Sequence, residues 1–98
     1  IEVEVIDLRS IAPWDKGTVI ESIKKTNHVI VAHEDKLVSG FGGEIVAEIA
    51  KDAFNYLDAP IVRVGAKFSP VGFAKNYETA ILPNVEDIKQ AILQTYNF

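Results

Sequence analysis

The sequence predicts an α/β domain built on a mainly parallel sheet. Three observations carry that reading. Short β-branched runs alternate along the chain with amphipathic segments of helical period. The runs show little polar alternation, as strands buried on both faces do. Breaks marked by Asn, Gly or Pro separate the two kinds of segment. At 98 residues, 48% of them hydrophobic, the chain has room for one core and not two, so residues 1–98 are read as a single domain.

Residues 1–8, Ile-Glu-Val-Glu-Val-Ile-Asp-Leu, alternate and then run apolar, which predicts a strand. Ser10 to Pro13 is a loop. Asp15 is placed to N-cap a helix over roughly 16–25, with Val19, Ile20 and Ile23 as its apolar stripe. Lys24 and Lys25 fall in the last turn, where the helix dipole favours cations, and Asn27 suits a left-handed cap. His28 to Ala32 is a compact run that predicts a strand buried on both faces, followed by a polar loop over 34–40. A second helix is expected over about 42–56, with Ile45, Ile49 and Ala53 as one ridge and Val46, Ala50 and Phe54 beside it. Asp58-Ala59-Pro60 breaks it, and Ile61 to Val64 predicts a third strand. A short helix is expected near 75–82. The last helix starts at Pro83-Asn84, with Asn84 as N-cap and Val85, Ile88, Ala91, Ile92 and Tyr96 facing inward.

Composition excludes several function classes. With no Cys there is no disulfide, no thiolate nucleophile and no Cys-ligated zinc. The net charge of -4, with neither half basic, argues against a nucleic-acid footprint. No apolar run approaches the roughly 20 residues of a membrane span, and no signal peptide is visible. The absence of Met, with an apolar strand at the very start, predicts a piece of a longer polypeptide.

The candidate sites are modest. Gly40, Gly42 and Gly43 precede the second helix. The spacing is not the dinucleotide fingerprint, because position 45 is Ile, and no Lys-Ser/Thr follows for a phosphate loop. A structural turn that lets the helix pack closely is the expected role. His33 and Glu34 follow the second strand, where ligands bind in open α/β sheets. A zinc-protease helix would need His at 37, which is Leu. A semi-buried His bonded to its loop is expected. Asp7, near Arg9, is expected to make a local turn contact rather than serve as a phosphoryl acceptor with Lys67. Trp14 is expected to anchor a loop on a helix. Phe68, Phe73 and Tyr77, with no basic track beside them, are expected to seal the core.

Several segments together resemble a known family. They are Glu4 to Asp15, Ile20 to Thr26, Val31-Ala-His-Glu34, Gly40-Phe-Gly-Gly-Glu44, Tyr56 to Pro60, and Leu82 to Ile88. In this order and spacing they resemble the C-terminal domain of the transketolase superfamily. Within it they are most similar to the β subunit of thiamine-diphosphate-dependent 2-oxo acid dehydrogenases, which act on pyruvate, branched-chain 2-oxo acids or acetoin. The resemblance covers nearly the whole chain. It implies a three-layer α/β/α domain with a mixed five-stranded sheet whose first strands, including a central one between the strands matching 2–8 and 28–33, lie outside this sequence. The parent enzyme is implied to decarboxylate a 2-oxo acid on thiamine diphosphate with Mg²⁺ and to acylate the lipoyl group of a dihydrolipoyl acyltransferase.

The resemblance places cofactor and metal elsewhere in that enzyme, and the family's Gly-Asp-Gly diphosphate motif does not occur here. No catalytic residue is therefore expected in this segment. Its implied role is assembly with an α subunit and a second β subunit as α2β2. It is also implied to dock the acyltransferase's small basic subunit-binding domain. Tyr96 or Phe98, beside a helix end that carries no Lys or Arg, is a candidate apolar anchor for that contact, and a frayed, solvated tail is the alternative reading. The implied location is the bacterial cytoplasm or the mitochondrial matrix. Two alternatives stay open at this point: another enzyme of the superfamily (transketolase or deoxyxylulose-phosphate synthase), and a free-standing flavodoxin- or receiver-like binding module using Asp7, His33 and the glycine turn.

Overall fold

A computed structural model describes residues 1–67 and 83–98. The expected helix near 75–82 and the aromatic residues Phe68, Phe73 and Tyr77 lie outside the described residues. In chain order the elements are α1 (Lys16–Thr26), β1 (Ile30–Lys36), α2 (Phe41–Ala53) with a 3-10 turn (Phe54–Tyr56), β2 (Val62–Ala66) and α3 (Val85–Tyr96).

The predicted caps of α1 both form. Asp15 Oδ1 accepts the Thr18 backbone N–H at 3.2 Å, and its Oδ2 accepts the Thr18 hydroxyl at 2.7 Å. These bonds hold the Asp15 carboxyl below the usual carboxylate range, the hydroxyl bond first. Asn27 closes the helix in the left-handed region, at φ 63°, and its N–H donates to the Ile23 carbonyl at 2.8 Å. Asn27 also ties α1 to the far end of α2. Its Nδ2 donates to the Tyr56 carbonyl at 2.7 Å, and its own carbonyl accepts the Asp58 N–H at 2.9 Å.

β1 and β2 pair in parallel, with Ile30 opposite Val62, Val31 opposite Arg63, and Ala32 opposite Val64. Opposed residues share a face, so Val31, His33, Arg63 and Gly65 look toward α2. Ile45, Ile49 and Ala53 of α2 bury with Ile23 of α1, and Val29, Val31 and Ile61 pack onto them. Lys16 of α1 closes the edge of this seam by pairing with Glu48 at 2.8 Å and with Asp52. Ala32, Val62 and Val64 take the other face. α3 packs on both strands, which gives the α/β/α order. Its start is a reciprocal capping box: Asn84 accepts the Asp87 N–H at 3.0 Å, and Asp87 accepts the Asn84 N–H at 2.9 Å.

Four expectations fail in instructive ways. Residues 1–8 form no strand, and Val5 is 85% exposed. An alternating segment becomes a strand only beside a neighbour, and β1 is paired to β2 alone among the described residues. What holds the segment is Leu8 packed against the core and Lys25 paired to Glu4 at 2.8 Å. The predicted 28–32 strand is displaced to 30–36 and is only half-buried, so the first part of the expected polar loop is strand. α2 ends at Ala53, and the 3-10 turn swings Phe54 outward; Ala50 is exposed too. In α3 the inward stripe is Ile88, Ala91, Ile92 and Thr95. Val85, at 86% exposed, and Tyr96, at 61%, point to solvent. The helix begins one residue after its cap, so Val85 sits in the first turn before the buried face starts.

Candidate functional site

His33 is where the sequence motifs converge, but it does not lie in a loop. Between Ala32 and Lys36 the ladder slips: four steps on β1 answer two on β2 (Val64 to Ala66). This is a bulge, and bulges re-aim side chains. His33 Nδ1 closes it by meeting the Asp35 carbonyl oxygen at 2.9 Å. A carbonyl only accepts, so Nδ1 is the donor in this contact. Nε2 is buried and has no hydrogen-bond partner among the described residues. Glu34 is exposed and does not face it.

The ring is enclosed by glycines. A methyl group on Gly42 would overlap His33 Nε2, and one on Gly40 would overlap the Lys36 carbonyl oxygen. One on Gly65 would lie 2.8 Å from His33 Cε1 and 2.9 Å from the Asp35 oxygen. These residues are glycine because the imidazole and the bulge occupy the space a Cβ would take. No glycine among the described residues has positive φ; the turn closes by Gly43 N–H donating to the Gly40 carbonyl at 3.2 Å, and the left-handed residue of the loop is Ser39, at φ 63°. Gly43 differs from its neighbours, because a Cβ there would meet only Arg63 Nη1 at 3.4 Å. Gly65 escaped the sequence reading; a lone Gly inside a β-branched strand was the available signal.

Asp7 makes the local contact expected of it: its Oδ1 accepts the Arg9 N–H at 3.1 Å, with Arg9 at φ 59°. Trp14 packs half-buried against the core, as expected of a loop anchor.

The second candidate region is the end of α3. Its last turn carries no basic residue, and Tyr96 and Phe98 (79% exposed) are both exposed among the described residues. Beside Phe98 the chain forms a cleft of about 400 Å³ against the start of β2. Arg63, Gln94 and Thr95 line it, and the sequence reading singled out none of them.

The fit to thiamine diphosphate and Mg²⁺ is poor. Among the described residues no group of His, Asp or Glu is placed to hold a metal ion, and the glycines at the head of α2 enclose a side chain rather than an open cradle.

Residues 1–88 match the family described as transketolase, C-terminal domain. The chain belongs to that family. This transketolase C-terminal domain is similar along most of its length to named pyruvate dehydrogenase subunits. It is 47% identical over 92 residues to the pyruvate dehydrogenase E1 component subunit beta of Rickettsia conorii, covering 94% of this chain and 28% of the relative. The corresponding subunit of Rhizobium meliloti is 45% identical over 92 residues, covering 94% and 20%. The mitochondrial subunit beta-1 of Oryza sativa subsp. japonica is 42% identical over 91 residues, covering 93% and 24%. The domain thus spans about a quarter of the length of the curated relatives it matches. None of the helices among the described residues is long and apolar enough to cross a membrane.

Proposed function

We propose that this domain is the C-terminal part of the β subunit of a thiamine-diphosphate-dependent 2-oxo acid dehydrogenase. The similarity to pyruvate dehydrogenase E1 β subunits over 94% of the chain supports the reading, and the names of those relatives favour pyruvate over branched-chain 2-oxo acids or acetoin. The proposed location follows the same relatives: cytoplasm in a bacterium, matrix in a mitochondrion. The test is to co-express the full-length subunit with its α partner and supply thiamine diphosphate and Mg²⁺. Reduction of an artificial electron acceptor is then followed with each 2-oxo acid and with acetoin. Preferred turnover of pyruvate supports the reading. Preferred turnover of a branched-chain acid or acetoin would move the domain to another branch, and ketol transfer between sugar phosphates would return it to transketolase.

Within that enzyme the domain assembles and docks, while the chemistry takes place elsewhere. His33 supports this division, because its Nε2 is closed in by Gly42 and its Nδ1 is committed to Asp35. His33→Gln should therefore lower turnover less than about 100-fold, below the upper range for a general base; a larger loss in a correctly assembled enzyme would make it catalytic. The exposed Tyr96 and Phe98, in a chain of net charge -4, are the proposed anchors for the basic subunit-binding domain of the acyltransferase. Calorimetric titration of the assembled enzyme with that binding domain tests it. Affinity should fall with added salt and with Phe98→Ala; affinity indifferent to both would place the docking surface elsewhere.

A further inference from the structure

One face of α2 is apolar and open to solvent. Ala47 and Ala50 are exposed, and Phe54, four residues beyond Ala50, is 70% exposed. With Gly43 these positions recur at 43, 47, 50 and 54, a spacing that sets them on one line along a helix. The line runs beside the buried ridge of Ile45, Ile49 and Ala53. Its outer edge carries Glu44 in the first turn and Lys51 in the last, about two turns apart. Both are exposed, and among the described residues neither makes an ion pair. The acids on the side toward α1 behave differently, since Glu48 and Asp52 are both taken up by Lys16. The apolar line is thus flanked by one unpaired anion and one unpaired cation, at opposite ends of the helix.

We propose that this face pairs with the same face of a second copy of the chain, α2 against α2, antiparallel about a two-fold axis. In a two-fold contact every residue that meets a partner residue is met by its copy in return. With the axis between Ala47 and Ala50, Ala47 of each copy lies on Ala50 of the other. Each Phe54 ring then lies over the Gly43 end of the other helix, where no side chain stands in its way. The same placement brings Glu44 of each helix to Lys51 of the other, so both unpaired charges are answered twice. A parallel pairing would set Glu44 on Glu44 and Lys51 on Lys51, so the charges select the antiparallel arrangement. Methyl side chains at the crossing let the axes approach to the short end of the usual range of about 8–10 Å. One helix pair falls short of the roughly 1,200 Å² that a stable interface buries, so the seam is one part of a larger contact between full-length subunits. The inference rests on the assembly role proposed above and names the surface of this domain that meets the second copy.

The test uses the full-length subunit assembled with its α partner. Mass photometry over a dilution series reads the copies of the subunit per particle and the concentration at which the particle halves. Glu44→Lys sets like charges together at both ends of the seam and should raise that midpoint about tenfold. Lys51→Glu should do the same. The two substitutions combined restore opposite charges and should return the midpoint to within about threefold of the parent. Ala50→Arg puts bulk and charge at the crossing twice and should raise the midpoint at least about a hundredfold. All of these side chains are exposed within one copy, so the far-ultraviolet circular dichroism of each variant should match the parent. Two-copy particles whose midpoint ignores Ala50→Arg and both charge reversals would overturn the inference and leave the assembly role standing. Particles with a single copy at every concentration would overturn both. Weakening by each reversal without rescue by the pair would overturn the two-fold pairing and give the face to a different chain.

Discussion

The head of α2 and the end of α3 both carry residues that suggest a site, and they use them in opposite ways. At the head of α2 the glycines, the imidazole and the bulge fill one another's space, and nothing remains to receive a ligand. At the end of α3 two aromatic side chains, Tyr96 and Phe98, stay exposed among the described residues. The difference shows that glycine next to a helix start marks a site only where the space it opens is still empty.

The sharpest way to break the comparison is Gly42→Val in the full-length subunit. The side chain would enter the space of His33 Nε2, and a loss of about 3 kcal/mol or of soluble protein is expected. Gly43→Ala, one residue away, should cost less than about 0.5 kcal/mol, since it meets only the tip of Arg63. Urea unfolding of both variants checks this, and equal effects would dissolve the cradle around His33. Ile49→Ala tests the core behind the cradle, where Ile49 is almost fully buried between α1 and the sheet. About 2–4 kcal/mol should be lost.

Smaller effects are expected at α3. Asn84→Ala removes one arm of the capping box and should cost about 1 kcal/mol in the same unfolding experiment. Tyr96→Ala should change stability by less than about 0.5 kcal/mol while weakening the acyltransferase binding domain by about 1 kcal/mol or more. If stability falls as much as binding, Tyr96 belongs to the packed half of the comparison after all.

The smallest effect is that of pH, and it arises around α1. Hydrogen bonds from Lys25 and then Ser22 lower Glu4, those of Thr18 lower Asp15, and that of Lys16 lowers Asp52. Each stabilises the fold above the unfolded carboxylate value and loses its contribution as pH falls through the lower folded value. Lys16 is raised, by Asp52 first and Glu48 second, so its contribution is present below the unfolded lysine value and lost as pH rises through the folded one. Stability from these groups should be level across neutral pH and drop only below about pH 4 and above about pH 10. Asp52→Asn should flatten part of the acid limb. All four groups are solvent-exposed, so added salt should shrink the effect.

The sequence by itself determined what depends on neighbours along the chain. The Asp15, Asn27 and Asn84 caps, the Ile45–Ile49–Ala53 ridge, the parallel α/β class and the Asp7–Arg9 turn all rest on contacts a few residues apart, whose geometry the residue types dictate. The family resemblance was equally legible, carried by segments in order. Tertiary structure decided what depends on who stands across the gap. Residues 1–8 had the pattern of a strand and lacked a partner to pair with. The bulge that turns His33 under Gly42 and Gly65 needed β2 beside β1, and no periodicity announces it. Arg63 and Thr95 are 32 residues apart in sequence and border one cleft only because β2 and the end of α3 pack together. A local pattern states which conformations a segment can adopt. Burial and hydrogen-bond satisfaction are properties of the assembled chain, and they decided which residues remained free for a ligand or partner.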